Sequence, residues 1–185
     1  MKKIILLSAM FCYCFVSAQI KTPQPSPTAT ITQKVGVSNI SVEYSRPGVK
    51  EREIFGELVG YEKMWRTGAN KATKITFDEN CVFGGAKVKK GSYSLFTIPG
   101  EKEWTVVLNK NTELWGVGDY EEANQVCSIK AKVIETKDFT ESFTIDFGTF
   151  KSFNAIMSLK WANTRIDIKL ESLASKELEK EFLEL

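Results

Sequence analysis

From residue 29 onward, apolar and polar side chains alternate along the chain, which is the pattern of half-buried β-strands. In residues 40–45, for example, Ile40, Val42 and Tyr44 share one face, and serine and glutamate occupy the other. The run SYSLFTI is apolar on both faces, which indicates a central strand. The pattern predicts about ten short strands. The runs are ATITQKVGV, ISVEYS, TKITF, CVF, AKVKK, SYSLFTI, EWTVVLN, VCSIKAKVIE, SFTIDF, AIMSLKW and RIDIKL.

Turn-forming residues separate these strands. Gly84-Gly85 lies between CVF and AKVKK, and Pro99-Gly100 precedes EWTVVLN. The stretch Ala162-Asn163-Thr164 separates the last two runs. No strand–helix–strand rhythm and no internal repeat is visible. The sequence therefore predicts an all-β fold over residues 29–170: a single antiparallel β-sandwich, jelly-roll-like or barrel-like.

Two segments have helical spacing instead. Residues 52–65, REIFGELVGYEKMW, predict a short mid-chain helix that ends near Gly60 and caps the sandwich. Its apolar members are Ile54, Phe55, Leu58 and Val59. Residues 171–185 predict a C-terminal amphipathic helix, and we favour docking of its apolar stripe on the domain over binding to a partner. The stripe consists of Leu173, Leu178, Phe182 and Leu185.

The first eighteen residues have the composition of a signal peptide. A positive MKK start precedes the apolar run IILLSAMFCYCFV, and Ser17 and Ala18 are small residues at a cleavage site. The run is shorter than the roughly 20 residues that span a bilayer, which disfavours the alternative of a membrane anchor. We therefore expect residues 1–18 to be removed and a mature chain without a transmembrane segment to be exported. Residues 19–28 are Pro-rich and predict an extended leader, either mobile or lying on the surface.

Charge and residue types exclude several functions. Without Lys2 and Lys3, the basic residues equal the 23 acidic ones, so a basic face for nucleic acid is not expected. The absence of histidine removes Ser-His-Asp, Cys-His and histidine–zinc sites. The acidic loop GDYEE, residues 118–122, lacks the ligand order of a calcium site. No cofactor and no metal is therefore expected.

Two cysteines remain after the expected cleavage, Cys81 and Cys127, both on the apolar side of strand-like runs. In an oxidising compartment they are candidates for a disulfide. The alternative is two buried free thiols that pack as small apolar side chains. Both alternatives stay open, because the sequence does not give the distance between the two residues.

Arginine and aromatic side chains concentrate between residues 44 and 70. Arginine is rare in this chain, yet Arg46, Arg52 and Arg66 all fall in this interval. A guanidinium group suits bidentate contacts with anions and stacking on rings. The predicted ligand-binding residues are Tyr44, Arg46, Trp65, Arg66, Asn70 and Trp115. The structural alternative is that WRTGAN, residues 65–70, is a tight corner in which Trp65 belongs to the core and Arg66 pairs internally.

Four stretches resemble a known family. They are VEYSRPGVKEREIFGELVGYEKMWRTGANKATKITF, GSYSLFTIPGEKEWTVVLNK, LWGVGDYEE and FTIDFG. In this order they are similar to the bacterial exported family labelled domain of unknown function 2911, over nearly all of residues 25–170. The resemblance implies an exported protein of a Gram-negative bacterium and assigns no activity. The signature residues map onto Tyr44, Ser45, Arg46, Pro47, Trp65, Arg66, Thr67, Gly68, Ala69 and Asn70.

Three functional hypotheses follow. We favour an exported, non-catalytic binding module, periplasmic or secreted, whose ligand is a small polar or anionic molecule, a saccharide or an envelope component. The second is a periplasmic hydrolase that uses carboxylates such as Asp119, Glu121 or Asp146. The third is a structural or assembly protein of the cell envelope that acts through its C-terminal helix. The oligomeric state is not predicted.

Overall fold

The computed structural model describes residues 22–184, so the predicted signal peptide, residues 1–18, lies outside the described residues. Nine strands, one 3-10 turn (Glu122–Asn124) and one helix, α1 (Leu173–Leu183), make up this part of the chain. The strands are β1 (Thr28–Val35), β2 (Ser38–Ser45), β3 (Thr73–Phe77), β4 (Cys81–Phe83), β5 (Ala86–Val88), β6 (Gly91–Ile98), β7 (Glu103–Asn109), β8 (Gln125–Lys151) and β9 (Asn154–Ser172). None of the helical structure in this range is both long and apolar enough to cross a membrane.

All nine strands belong to one sheet with the order β1-β2-β3-β6-β7-β8-β9-β4-β5. Every pair of neighbouring strands is antiparallel. The all-β, antiparallel prediction is therefore confirmed. The sheet is not closed, since β1 and β5 are its two edges. The barrel-like alternative is therefore wrong. The structure has one open sheet instead of the two separate sheets of the predicted sandwich.

The strands β8 and β9 are far longer than predicted, at 27 and 19 residues. Four predicted runs merge into these two strands. The register of β8 shifts between Glu135 and Thr144, and Ala162, which lies opposite on β9, has a φ of 51°. Such bulges bend a strand without ending it. The predicted turn at Ala162-Asn163-Thr164 is therefore wrong.

The segment that follows β2 contacts the distal half of β8. The backbone N–H of Phe143 donates to Pro47 O at 2.9 Å, and that of Val49 donates to Glu141 O at 2.8 Å. The proximal half of β8 pairs instead with β7. The sheet therefore curls, and buried side chains from both of its parts, such as Val42 and Met157, share one core.

The predicted mid-chain helix is absent. Residues 53–64 form turns and an isolated bridge between Phe55 and Val59. Gly56 has a φ of 101° and Glu62 a φ of 57°, which a right-handed helix excludes. Ile54 and Val59 are nevertheless buried and Phe55 packs against the core, whereas Leu58 is 47 % exposed.

The helix α1 contacts the sheet mainly through its first turn. Ser172 caps it by accepting from Ser175 N, and Ser175 Oγ accepts from Val37 N at 2.7 Å. No residue of α1 is buried, and Phe182 is 78 % exposed. The favoured docking of its apolar stripe is therefore wrong for the outer part of the helix. Leu185, the last member of that stripe, lies outside the described residues.

Candidate functional site

The six residues WRTGAN form a rigid corner before β3. Trp65 pairs with Thr97 of β6 through backbone hydrogen bonds of 2.7 and 2.9 Å. Thr73 Oγ1 donates to Thr67 O at 2.6 Å, and Thr67 is fully buried. Thr67 and Asn70 have φ angles of 55° and 61°, which non-glycine residues keep only where the surroundings fix them. The corner interpretation is therefore correct for the backbone.

Trp65 is mainly a core residue. Its side chain is only 8 % exposed, and Nε1 donates to Gly68 O at 2.9 Å. Its ring stacks on Trp161, with centroids 5.5 Å apart and an interplanar angle of 16°. Phe143 adds an edge-to-face contact at 5.1 Å. Most of the ring therefore stabilises the fold and is closed to a ligand.

The Arg46 guanidinium group is hydrogen-bonded within the protein. Its Nε donates to Phe143 O at 3.0 Å, and Nη2 donates to Thr144 Oγ1 at 2.7 Å. It lines neither of the two cavities described below. Arg46 therefore braces β2 against β8, and this placement does not suit the predicted role of a ligand donor.

Three of the predicted residues meet at one cavity. Tyr44, Asn70 and Trp115 line an open cavity of about 320 Å³, which we call the Trp115 cavity. Small-molecule sites start at about 300 Å³. The other lining residues are Gln24, Pro25, Thr28, Glu43, Ser45, Lys71 and Ala72. Part of the Pro-rich leader thus lies beside the corner and forms one wall.

Trp115 is the open wall of this cavity. Its side chain is 66 % exposed, whereas Trp65, Trp104 and Trp161 are all buried. Its backbone forms a bridge with Lys71, next to the corner. An exposed tryptophan on a backbone that is fixed to the scaffold is a suitable platform for a flat ligand face.

The polar groups of the Trp115 cavity include both donors and acceptors. Asn70 Nδ2 donates to Ser45 Oγ at 3.2 Å, while its Oδ1 accepts no hydrogen bond from the described residues. Tyr44 OH exchanges two hydrogen bonds with the backbone of Ile145, so only its ring remains for a ligand. Lys71 and Glu43 add one charge of each sign.

Trp65 and Arg66 line a separate cavity, also of about 320 Å³, which we call the Arg66 cavity. The other lining residues are Ser26, Pro47, Arg52, Leu58, Val59, Gly68, Ala69 and Trp161. The six predicted residues therefore do not form one site. Three of them line the Trp115 cavity, two line the Arg66 cavity, and Arg46 lines neither.

Apart from Gln24 and Pro25, all residues that line the two cavities lie within a region that matches a known family. The family model described as Protein of unknown function (DUF2911) matches residues 26–170. The chain belongs to this family. The DUF2911 region includes the whole corner and ends before α1, and its description names no activity. Comparisons with curated proteins and with solved structures found no match.

The carboxylates of the hydrolase hypothesis have surface roles. Asp146 forms an ion pair with Lys160 at 3.3 Å, and Glu121 Oε2 accepts from Asn124 Nδ2 at 2.9 Å. Asp119 is exposed, and none of the three acids lines either cavity of the DUF2911 region. In residues 22–184, no three side chains of the metal-binding types form a cluster.

Cys81 and Cys127 are free thiols in the structure, Cys81 buried and Cys127 half-buried. Burial, and secondly the charge of a Cys127 thiolate, raise the pKa of Cys81 to about 12. Burial also raises the pKa of Cys127. Both groups are therefore neutral and weakly reactive near neutral pH.

Most lining residues of the two cavities were not among the predicted ligand-binding residues. Trp161 was predicted only as part of the strand AIMSLKW, although it lines the Arg66 cavity. Glu43 and Lys71 flank the predicted residues Tyr44 and Asn70, and they line the Trp115 cavity. Their positions next to Tyr44 and Asn70 in the sequence were the available signal, but such a position does not distinguish a cavity wall from ordinary surface.

Proposed function

We propose that this DUF2911 protein is an exported, non-catalytic binding module whose ligand, a small polar molecule such as a saccharide or an envelope component, binds in the Trp115 cavity. The observation that carries the proposal is the ring of Trp115, 66 % exposed at the wall of a cavity of about 320 Å³. Large exposed aromatic side chains beside a concave polar surface are typical of ligand sites.

The charges of the cavity favour a neutral ligand rich in hydroxyl groups. Glu43 and Lys71 give the lining no net charge, and each already has an ion-pair partner: Lys74 lies 3.4 Å from Glu43, and Glu113 lies 3.7 Å from Lys71. A hydroxyl group, by contrast, needs no charge and both donates and accepts. Asn70 Oδ1 adds an acceptor. A sugar ring also has an apolar face that can pack on Trp115. Binding would then combine stacking with fixed hydrogen bonds, without turnover.

Export is part of the proposal. It is supported by the MKK start, the apolar run and the small residues that end at Ala18. We place the mature protein in the periplasm or outside a Gram-negative cell.

A thermal-shift screen with neutral mono- and oligosaccharides tests the binding proposal. We expect at least one of them to raise the unfolding midpoint of the wild type, because a ligand that binds only the folded state stabilises it. The Trp115→Ala variant should fold and show no shift with that ligand. Phe139→Ala is the matched control, since Phe139 is also exposed, at 57 %, and lines neither cavity. An equal shift in Trp115→Ala, or no shift with any saccharide in the wild type, would refute the proposal.

Assembly through α1 is a second candidate function. The observation that favours it is the exposure of Leu178 and Phe182 on a helix that has no buried residue. If it is correct, a double Leu178→Ala and Phe182→Ala variant should lose a binding partner that the wild type retains in an envelope extract. A partner that binds both proteins equally would exclude this function.

A further inference from the structure

The Arg66 cavity contains two buried donors that lack acceptors. Arg66 Nε and Trp161 Nε1 are both inaccessible to solvent, and neither has a hydrogen-bond partner among the described residues. Both side chains line the cavity, and Trp161 is only 2 % exposed. Buried polar atoms without partners are costly. The described residues contain two others, Ser94 Oγ and Arg165 Nε, and neither residue lines this cavity. Two unpartnered donors at one cavity point to a bound group that carries oxygen acceptors.

The charge of the cavity supports the same conclusion. Arg52 and Arg66 are its only charged lining residues, and no aspartate or glutamate lines it. Arg52 donates to the carbonyl oxygens of Val49 and Gly48 and forms no ion pair within residues 22–184, while Glu53 and Glu57 lie beside it in a neighbouring surface depression. Arg66 forms no ion pair within residues 22–184. The lining of this cavity therefore carries only positive charge, whereas the lining of the Trp115 cavity carries one charge of each sign.

Apart from Ser26, the remaining side chains that line the cavity are apolar. Pro47, Leu58 and Val59 face the cavity together with part of the Trp65 ring. Leu58 is half exposed, although the segment around it has buried apolar neighbours. A small inorganic anion would leave these apolar walls unused, whereas an apolar body attached to the anionic group would cover them.

We infer that the Arg66 cavity is a second binding site, specific for a small organic carboxylate with an apolar body. Because both nitrogens are closed to solvent in the free protein, the side chains beside them shift as the carboxylate oxygens accept hydrogen bonds from Arg66 Nε and Trp161 Nε1, and the body packs against Leu58 and Val59. Neither hydrogen bond requires the Trp115 cavity. The inference is therefore independent of the proposed saccharide site.

The tryptophan indole N–H signals in a ¹⁵N-resolved NMR spectrum of the purified protein provide a direct test. The chain has four tryptophans, and the Trp161 signal is assigned by its loss in Trp161→Phe. We expect benzoate and isovalerate to shift the Trp161 signal. Benzamide, which has the shape of benzoate without its charge, and inorganic phosphate, which lacks the apolar body, should leave it in place.

Two results of this titration would overturn the inference. The first is a Trp161 signal that neither carboxylate moves. This would mean that the Trp161 N–H is satisfied inside the fold, for example by the ring of Phe55, whose centroid lies 6.1 Å from that of the Trp161 ring at an interplanar angle of 90°. The second is an equal response to phosphate or benzamide, which would remove the requirement for an organic carboxylate.

Variants locate the site. Arg66→Met keeps an apolar side chain of similar length but removes the charge and Nε, and it should weaken benzoate binding at least tenfold. Arg165→Met is the matched control, because Arg165 pairs with Asp167 on β9 and lines neither cavity. Trp115→Ala should also bind benzoate normally. If Trp115→Ala loses benzoate while Arg66→Met retains it, the inference fails and the carboxylate belongs to the Trp115 cavity. A failed saccharide screen, by contrast, leaves the inference intact.

Discussion

Arg46 shows how much a single side chain can contribute by joining distant strands. It links the end of β2 to Phe143 and Thr144, almost one hundred residues later in the chain. We expect Arg46→Met to lower the free energy of unfolding in urea by about 2 kcal/mol, because hydrogen bonds from a charged group are lost and a part-buried carbonyl loses its donor. Arg46→Lys should restore less than half of this, because lysine lacks the guanidinium fork. A loss below about 0.5 kcal/mol in Arg46→Met would contradict the bracing role.

The Cys81 thiol makes the free energy of unfolding depend on pH. Because the folded protein raises the pKa of this thiol from 9.0 to about 12, the folded state binds the thiol proton more tightly than the unfolded chain does. The resulting stabilisation is complete below pH 9 and is lost as the pH rises toward 12. We expect the stability advantage of the wild type over Cys81→Ala, measured in urea with a reductant, to be smaller at pH 11 than at pH 8. An unchanged difference would show that the thiol is not shielded from water.

At the residue scale, the sequence located the region of the site but not the role of each residue. Arg46 and Arg66 both follow closely on an aromatic residue, and nothing local distinguishes them. Their difference arises from β8, which supplies acceptors to Arg46 and none to Arg66. Contacts between residues so far apart in sequence do not follow from the periodicity of either strand.

At the element scale, the WRTGAN corner depends on close backbone packing at Gly68. A Cβ atom there would lie 3.0 Å from Ser45 O and 3.2 Å from Thr73 Oγ1. We therefore expect Gly68→Ala to lower the free energy of unfolding by at least about 1 kcal/mol. Gly118→Ala is the control, since a Cβ at Gly118 would meet nothing within 4 Å, and its change should stay within about 0.5 kcal/mol. Equal effects of the two substitutions would show that the corner tolerates a side chain.

The helix α1 should be dispensable beyond its first turn. Residues 176–184 are all exposed. A chain that ends at Ser175 should therefore have a free energy of unfolding within about 1 kcal/mol of that of the full chain. A chain that ends at Leu170 should lose more, because Ser172 is buried and its Oγ hydrogen-bonds Ser38 Oγ at 2.6 Å. A large loss of unfolding free energy in the chain that ends at Ser175 would show that the outer part of α1 docks on the domain.

The errors in predicting elements have two local causes. The mid-chain helix was predicted from apolar spacing, but residues with positive φ such as Gly56 and Glu62 turn the same apolar side chains inward without helical hydrogen bonds. The strands β8 and β9 were divided at residues that form bulges within continuing strands. The Gly84-Gly85 hairpin was predicted correctly, with Phe83 paired to Ala86, because a two-residue glycine turn is specified locally.

At the scale of the whole molecule, alternation alone predicted the all-β class and antiparallel pairing, because half-buried strands impose a period of two. It could not predict the strand order, in which β9 passes between β8 and β4. The cavities also arise at this scale. The Trp115 cavity joins the leader, β2, the corner and the loop before β8, which are up to ninety residues apart.

A ligand in the Trp115 cavity of the DUF2911 region should cover the Trp115 ring, and the quenching of tryptophan fluorescence by acrylamide measures whether it does. Trp115 is the exposed tryptophan among the four, so it should account for most of the quenching in the free protein, and Trp115→Phe should remove that component. We predict that a saccharide found in the thermal-shift screen protects this component as the site fills. A saccharide that binds and leaves the quenching of Trp115 unchanged would contradict the account, because its site would then lie elsewhere.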